Sequence, residues 1–195
     1  MPTVPLSSIA TVRMGVTLRG RDATRPDPNG SCYLVQISDL ENDGTFRNEN
    51  FARFEPNEPV NSSLFLRTGD ILFPNRGTRT AAVVMTHAAK NILAGAQFFV
   101  LSRKTTEVIP EYLAWTLRTS EAARYFSSRR KGTLVQTLQR FHLEDFPVPL
   151  PSLEVQQAIL KIDDLEREAR ALESRLAERR ATHLEKSLLK AAHQA

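Results

Sequence analysis

A single cysteine, Cys32, in 195 residues rules out an internal disulfide framework and points to a reducing compartment. It lies in the apolar run CYLVQI, Cys32 to Ile37, and reads as a small buried hydrophobe rather than a nucleophile. No apolar stretch approaches membrane-spanning length. The opening MPTVPLSSIATVRMG has no signal-peptide hydrophobic region. The expectation is a soluble, cytoplasmic protein with no membrane partner. The GxxxxGK[ST] and GxGxxG phosphate loops are missing, as are CxxC and HExxH. His87, His142, His183 and His193 lack metal-ligand spacing. No carboxylate–lysine cluster of the nuclease kind occurs, and no Asn/Asp-Pro-Pro-aromatic motif of a methyltransferase. These absences predict no catalytic residue, no cofactor and no metal. Asp70 in TGDILF reads as a turn residue that accepts backbone N–H bonds. An enzyme with a site near Asp70 and His87 remains an alternative.

Glycine and proline are absent after Pro151, and there the chain changes character. Ser152 is placed to cap a helix, with Glu154 in its first turn. Ile162, Leu165, Ala169, Leu172 and Leu176 follow at steps of three and four, a coiled-coil seam. Ala177, Ala181, Leu184, Leu188 and Ala191 repeat the spacing one residue out of phase, like a stutter. Asp163 with Arg167 and Glu166 with Arg170 add pairs at four-residue spacing. A helix of about 40 residues would run roughly 55–60 Å. Its narrow stripe suits another helix better than a globular face.

Charge separates the two regions. Of the 26 Lys and Arg and 22 Asp and Glu, eight of each sign lie beyond residue 150. The whole net charge of +4 therefore resides in residues 1–150. There the basic side chains gather in glycine-bearing loops. Arg19, Arg21 and Arg25 lie in GVTLRGRDATRPDPNGS; Asn75, Arg76, Thr78 and Arg79 in PNRGTR; Arg129, Arg130 and Lys131 in SSRRKGT. One such cluster alone would read as solvated surface. Three in one basic region favour double-stranded DNA, because Arg grips guanine edges or phosphates and Asn pairs with adenine.

Between these loops, Cys32–Ile37, Asn61–Met85 and Asn91–Arg103 read as strands. PEYLAWTLRTSEAARYFSS reads as two helices, with Pro110 at a first helical position and Ser120 as a cap. LVQTLQRF, Leu134 to Phe141, reads as a further short helix. FPVPLPSLEVQQAI, Phe146 to Ile159, sets three prolines before the long helix, as a stiff joint rather than a flexible linker.

The ordered set LSSIATVRMGVT, YLVQISDLENDG, LRTGDILFPNRGT, IPEYLAWTL and GTLVQTLQRFHLEDFPVPLPSLEVQQAI resembles the specificity subunit of type I restriction-modification systems. The most specific piece is Pro149, Leu150, Pro151, Glu154, Gln156, Gln157 and Ile159. Val155 departs from it, standing where the family usually sets Glu and Gln adjacent. The resemblance implies an α+β fold: a target recognition domain at 1–150, built on a twisted mixed β-sheet with a small helical lobe. A long coiled-coil helix at 151–195 would act as spacer and dimerisation arm. It also implies a non-catalytic subunit that directs a methyltransferase subunit, and where present a restriction subunit, to a bipartite site. Family members commonly carry two recognition domains and two helices; this chain has one of each. LEKSLLKAAHQA resembles the end of the family's distal helix, which suits a half-subunit, with a fragment of a longer one as the other possibility. A half-subunit is expected to dimerise through antiparallel helices using Ile162, Leu165, Leu172, Leu176, Leu184 and Leu188. A stand-alone DNA-binding regulator with the same fold remains the main alternative.

Overall fold

The structure, a computed structural model, describes residues 3–17, 26–48, 50–86 and 90–193. The chain forms two compact units, Met1–Gln156 and Gln157–Ala195. The strands are β1 (Thr3–Pro5), β2 (Ala10–Met14), β3 (Cys32–Val35), β4 (Ala52–Phe54), β5 (Ile71–Pro74), β6 (Val83–Val84), β7 (Ile92–Ala94), β8 (Phe98–Arg103) and β9 (Pro147–Pro149). The helices are α1 (Leu6–Ile9), α2 (Pro110–Arg118), α3 (Ser120–Ser127), α4 (Arg140–Glu144) and α5 (Leu153–Ala192).

The fold is α+β, and among the described residues the β-structure is divided among three small sheets. One is antiparallel with strand order β2-β8-β5-β6. The second, β4-β3-β7, is the mixed one: β3 pairs antiparallel with β4 and parallel with β7. The third pairs only β1 with β9. Both faces of β5 and of the Phe98–Leu101 part of β8 are buried, so these stretches are continuously apolar rather than alternating. Leu72, Phe98 and Val100 join Val35, Leu40, Ile92 and Met85 in the main core. Phe73 points the other way, its ring centroid 5.0 Å from that of Phe126 in α3.

Two local readings are corrected. Thr119, not Ser120, caps α3, its side chain accepting the Ala122 N–H. Residues 134–139 are not helical, and α4 starts only at Arg140. The backbone of that segment bonds elsewhere: Thr137 exchanges hydrogen bonds with Lys131, and Leu138 N–H reaches the Asn75 carbonyl at 2.8 Å.

The proline joint is tied into the first unit. Pro147–Pro149 pairs with Thr3–Pro5, with Val4 opposite Val148. Three of the six paired residues are prolines without an N–H, which suits an isolated two-stranded edge. Tyr112 Oη donates to the Pro149 carbonyl at 3.0 Å. Phe146 packs on Tyr125 and Phe126, with centroids 5.1 and 5.0 Å away. Gln156, in the first turns of α5, is fully buried. Its Nε2 donates to the carbonyls of Glu107 (2.8 Å) and Pro151 (2.9 Å), and its Oε1 accepts the Ile109 N–H at 2.9 Å. These bonds tie Gln156 to the first unit, which runs to it.

Gln156→Ala would remove this partner from two part-buried carbonyls and one N–H. Water can reach part of these groups, so each should cost less than the roughly 1–3 kcal/mol of a fully buried unpaired group; the first unit should lose about 2–4 kcal/mol, read from its urea midpoint. Gln156→Glu should be destabilised at neutral pH, where a carboxylate faces two carbonyls. Burial raises the folded pKa of that carboxyl, so the deficit relative to wild type should shrink as the pH falls.

Candidate nucleic-acid interface

The loops expected to bear the site fare differently. Arg19, Arg21 and Arg25 lie outside the described residues. The turn at Pro74–Arg79 and the loop at Ser128–Gln139 are joined into one surface. Gly77 N–H bonds the Gln136 carbonyl at 2.8 Å, and Arg76 and Thr137 form an isolated bridge. Gly77 takes φ +78°, a left-handed conformation that glycine adopts without strain.

Arg130 holds this junction together. It is buried, and its guanidinium serves the turn rather than an outside ligand. Nη1 donates to the Gly77 carbonyl at 2.6 Å, and Nη2 to those of Arg79 at 2.9 Å and Pro74 at 3.2 Å. Burial lowers its pKa. Asn75 is likewise buried, its Nδ2 donating to the Ala96 carbonyl at 2.9 Å and lying 3.6 Å from the Met14 sulfur. Arg130 and Asn75, expected to meet DNA, are instead buried, and Arg130 Nη1 and Nη2 and Asn75 Nδ2 bond within the protein.

Arg79 and Arg129 are intermediate. Arg79 donates to Asn42 Oδ1 (2.8 Å) and to the carbonyls of Leu40 (2.9 Å) and Ile37 (3.3 Å). Arg129 lies 3.6 Å from the Tyr125 ring centroid and donates to the Tyr125 carbonyl at 3.0 Å. Of the expected contacts in these two segments, Arg76, Thr78 and Lys131 are exposed. They are joined by Thr133, Leu134, Val135, Gln136, Thr137 and Gln139, also exposed, which a helical reading of Leu134–Phe141 had hidden. A glycine flanked by Arg-Arg-Lys and β-branched residues was the available signal for a loop. Residues 74–80 and 128–139 together hold Arg76, Arg79, Arg129, Arg130 and Lys131 and no carboxylate.

Asp70 is a turn residue. Its Oδ2 accepts the Arg67 N–H at 2.9 Å and its Oδ1 the Ser102 hydroxyl at 2.6 Å. It borders a cleft of about 410 Å³ shared with Arg13, Arg67 and Arg103. Burial lowers the Arg13 pKa, against an opposing pull from Asp70. His87 lies outside the described residues. Among the described residues no cluster of three or more His, Cys, Asp or Glu could hold a metal. No helix among them is long and apolar enough to cross a membrane.

In the second unit Ile162, Leu165, Leu172, Leu176 and Leu184 are 49–67% exposed; the side chain of Leu188 lies outside the described part. Arg167 reaches Asp163 and Arg170 reaches Glu166, each at 2.9 Å.

No protein-family profile matches the chain, and no curated protein does. Solved structures do. The type I restriction-modification S subunit from M. genitalium superposes with a TM-score of 0.57 over 85% of this chain, at 15% identity. A chain from a study of complex assembly and conformational transition in the type I restriction-modification system gives 0.65 over 90%, at 20% identity. The HsdS subunit from Thermoanaerobacter tengcongensis gives 0.60 over 87%, at 18% identity. The fold is therefore the one these S subunits have. This chain spans 38–40% of the length of those chains.

Arg130→Lys keeps the charge but replaces a planar fork with a single ammonium. At least one of the three carbonyls should lose its donor, at a cost of about 1–3 kcal/mol. Amide exchange at Gly77 and Thr137 should quicken in that variant. Unchanged exchange at both would show that the turn and loop are held by something else.

Proposed function

We propose that residues 1–156 recognise a double-stranded DNA sequence and that the chain is a non-catalytic specificity subunit. It would direct a separate methyltransferase subunit, and a restriction subunit where one exists, to its site. The observation that carries this reading is the S-subunit fold over 85–90% of the chain. The joined basic surface supports it independently, since Arg76 and Lys131 are exposed on segments without carboxylates. Polyanion binding needs that charge pattern. Arg19, Arg21 and Arg25 are proposed to extend the same function.

Arg76→Ala with Lys131→Ala is the direct test. Neither side chain is buried, so the fold should survive. Loss of a phosphate contact should weaken all duplexes evenly and lower the salt slope by about one per contact. Loss of a base contact should cost about 1–3 kcal/mol and relax preference at one position. Unchanged affinity would put the DNA face elsewhere.

The second unit is proposed to pair with its copy, antiparallel about a two-fold axis. Burying each exposed leucine or isoleucine is worth about 1.5–3 kcal/mol before ordering costs, and two-fold dimers are the commonest closed assembly. Two identical readers would require an interrupted palindrome, the bipartite site of this reading. Sedimentation should give a dimer mass that Leu172→Glu with Leu176→Glu reduces to a monomer. A wild-type monomer at high micromolar concentration would instead leave this helix for a partner helix on another chain.

A further inference from the structure

The tip of the basic loop is apolar. Leu134 is 98% exposed and Val135 57%, although neighbouring Leu138 and Leu143 are buried. This is not a slack segment. Lys131 and Thr137 exchange both backbone hydrogen bonds, at 3.0 and 2.8 Å, and so close the stem. Gly132 takes φ +119°, and a Cβ there would collide with the Val135 carbonyl. Arg130 and the Gly77–Gln136 bond anchor the stem to the neighbouring turn. A rigid stem thus holds an aliphatic side chain in water, which costs most of that residue's hydrophobic free energy.

The surroundings indicate what covers it. The exposed charges on the two joined segments are cationic, Arg76 and Lys131, and the other exposed groups are hydroxyls and amides. An apolar tip on segments whose exposed charges are cations and whose other exposed polar groups are neutral fits a polyanion with an apolar interior, which is what stacked base pairs beneath phosphates present. Side chains of this type that enter a base step unstack it and kink the duplex.

We propose that Leu134, with Val135 beside it, is a wedge that opens a base step in the bound duplex, while Arg76 and Lys131 hold the flanking phosphates. Target choice then depends partly on how easily that step deforms, at a position no hydrogen bond reads. This rests on the DNA-recognition reading above.

The test uses the full chain and duplexes selected from a random pool by the wild-type protein. Permanganate reactivity reports unstacked thymines wherever they lie, and energy transfer between end labels reports bending. Wild type should produce both signals. Leu134→Ala should abolish them and weaken binding about 10- to 100-fold, the equivalent of one buried leucine. The residue is almost wholly exposed, so the variant should fold. Wild-type binding without either signal, or signals that Leu134→Ala leaves intact, would overturn the wedge and leave DNA recognition standing. A selection that yields no binding duplex would overturn both. If Leu134→Ala keeps DNA affinity and bending but abolishes dimerisation or copurification of a methyltransferase subunit, the tip is a protein contact and the wedge is wrong.

Discussion

One buried guanidinium organises the candidate interface. Arg130 brings a cation into the protein and gives it three backbone carbonyls instead of a carboxylate. Such burial disfavours the charged form and lowers the guanidinium's pKa. The carbonyls offset it because charge-assisted hydrogen bonds are stronger than neutral ones. Those carbonyls belong to Pro74, Gly77 and Arg79, so the bond network sets the path of the whole turn. Among the described residues no carboxylate pairs with it, so its charge adds to the positive potential of the surface it builds. Arg76, Lys131 and the loop tip all depend on that path.

A similar device secures the far end of the first unit. Gln156 has one acceptor and two donors in use, on three separate backbone groups. A neutral amide can serve carbonyls and an N–H together, which neither a carboxylate nor an ammonium can do. Around it the proline strand, Tyr112 and the Phe126–Phe146 contact hold Phe146–Pro151 in place. In both devices long polar side chains satisfy irregular backbone, where no helix or sheet could supply the bonds.

Much of the fold was legible from local pattern. The long helix follows from a 3-4 spacing without Gly or Pro, and its ion pairs fall where four-residue spacing put them. Pro110 opens a helix, Cys32 is buried, and Asp70 closes a turn, each for a reason contained within a few residues. The separation into three sheets was not legible, because strand partners are chosen by contacts far apart in sequence: β3 finds β7 and β1 finds β9. The helix read into Leu134–Phe141 failed for the same reason. Its apolar spacing was compatible with a helix, but Lys131 and Asn75 took the backbone groups of Thr137 and Leu138.

For the site, the sequence alone determined which segments carry positive charge, that glycines interrupt them, and that the net positive charge is confined to residues 1–150. These are properties of composition and order, and folding cannot change them. Only the tertiary structure decided which of those side chains face outward. Arg129, Arg130 and Lys131 are consecutive and nearly alike as text. Yet one stacks on Tyr125, one is buried against three carbonyls, and one is exposed. The difference lies in what the remote turn at Pro74–Arg79 and helix α3 present to each of them. A guanidinium goes where unpaired backbone carbonyls await it, and their positions are set by the packing of distant segments.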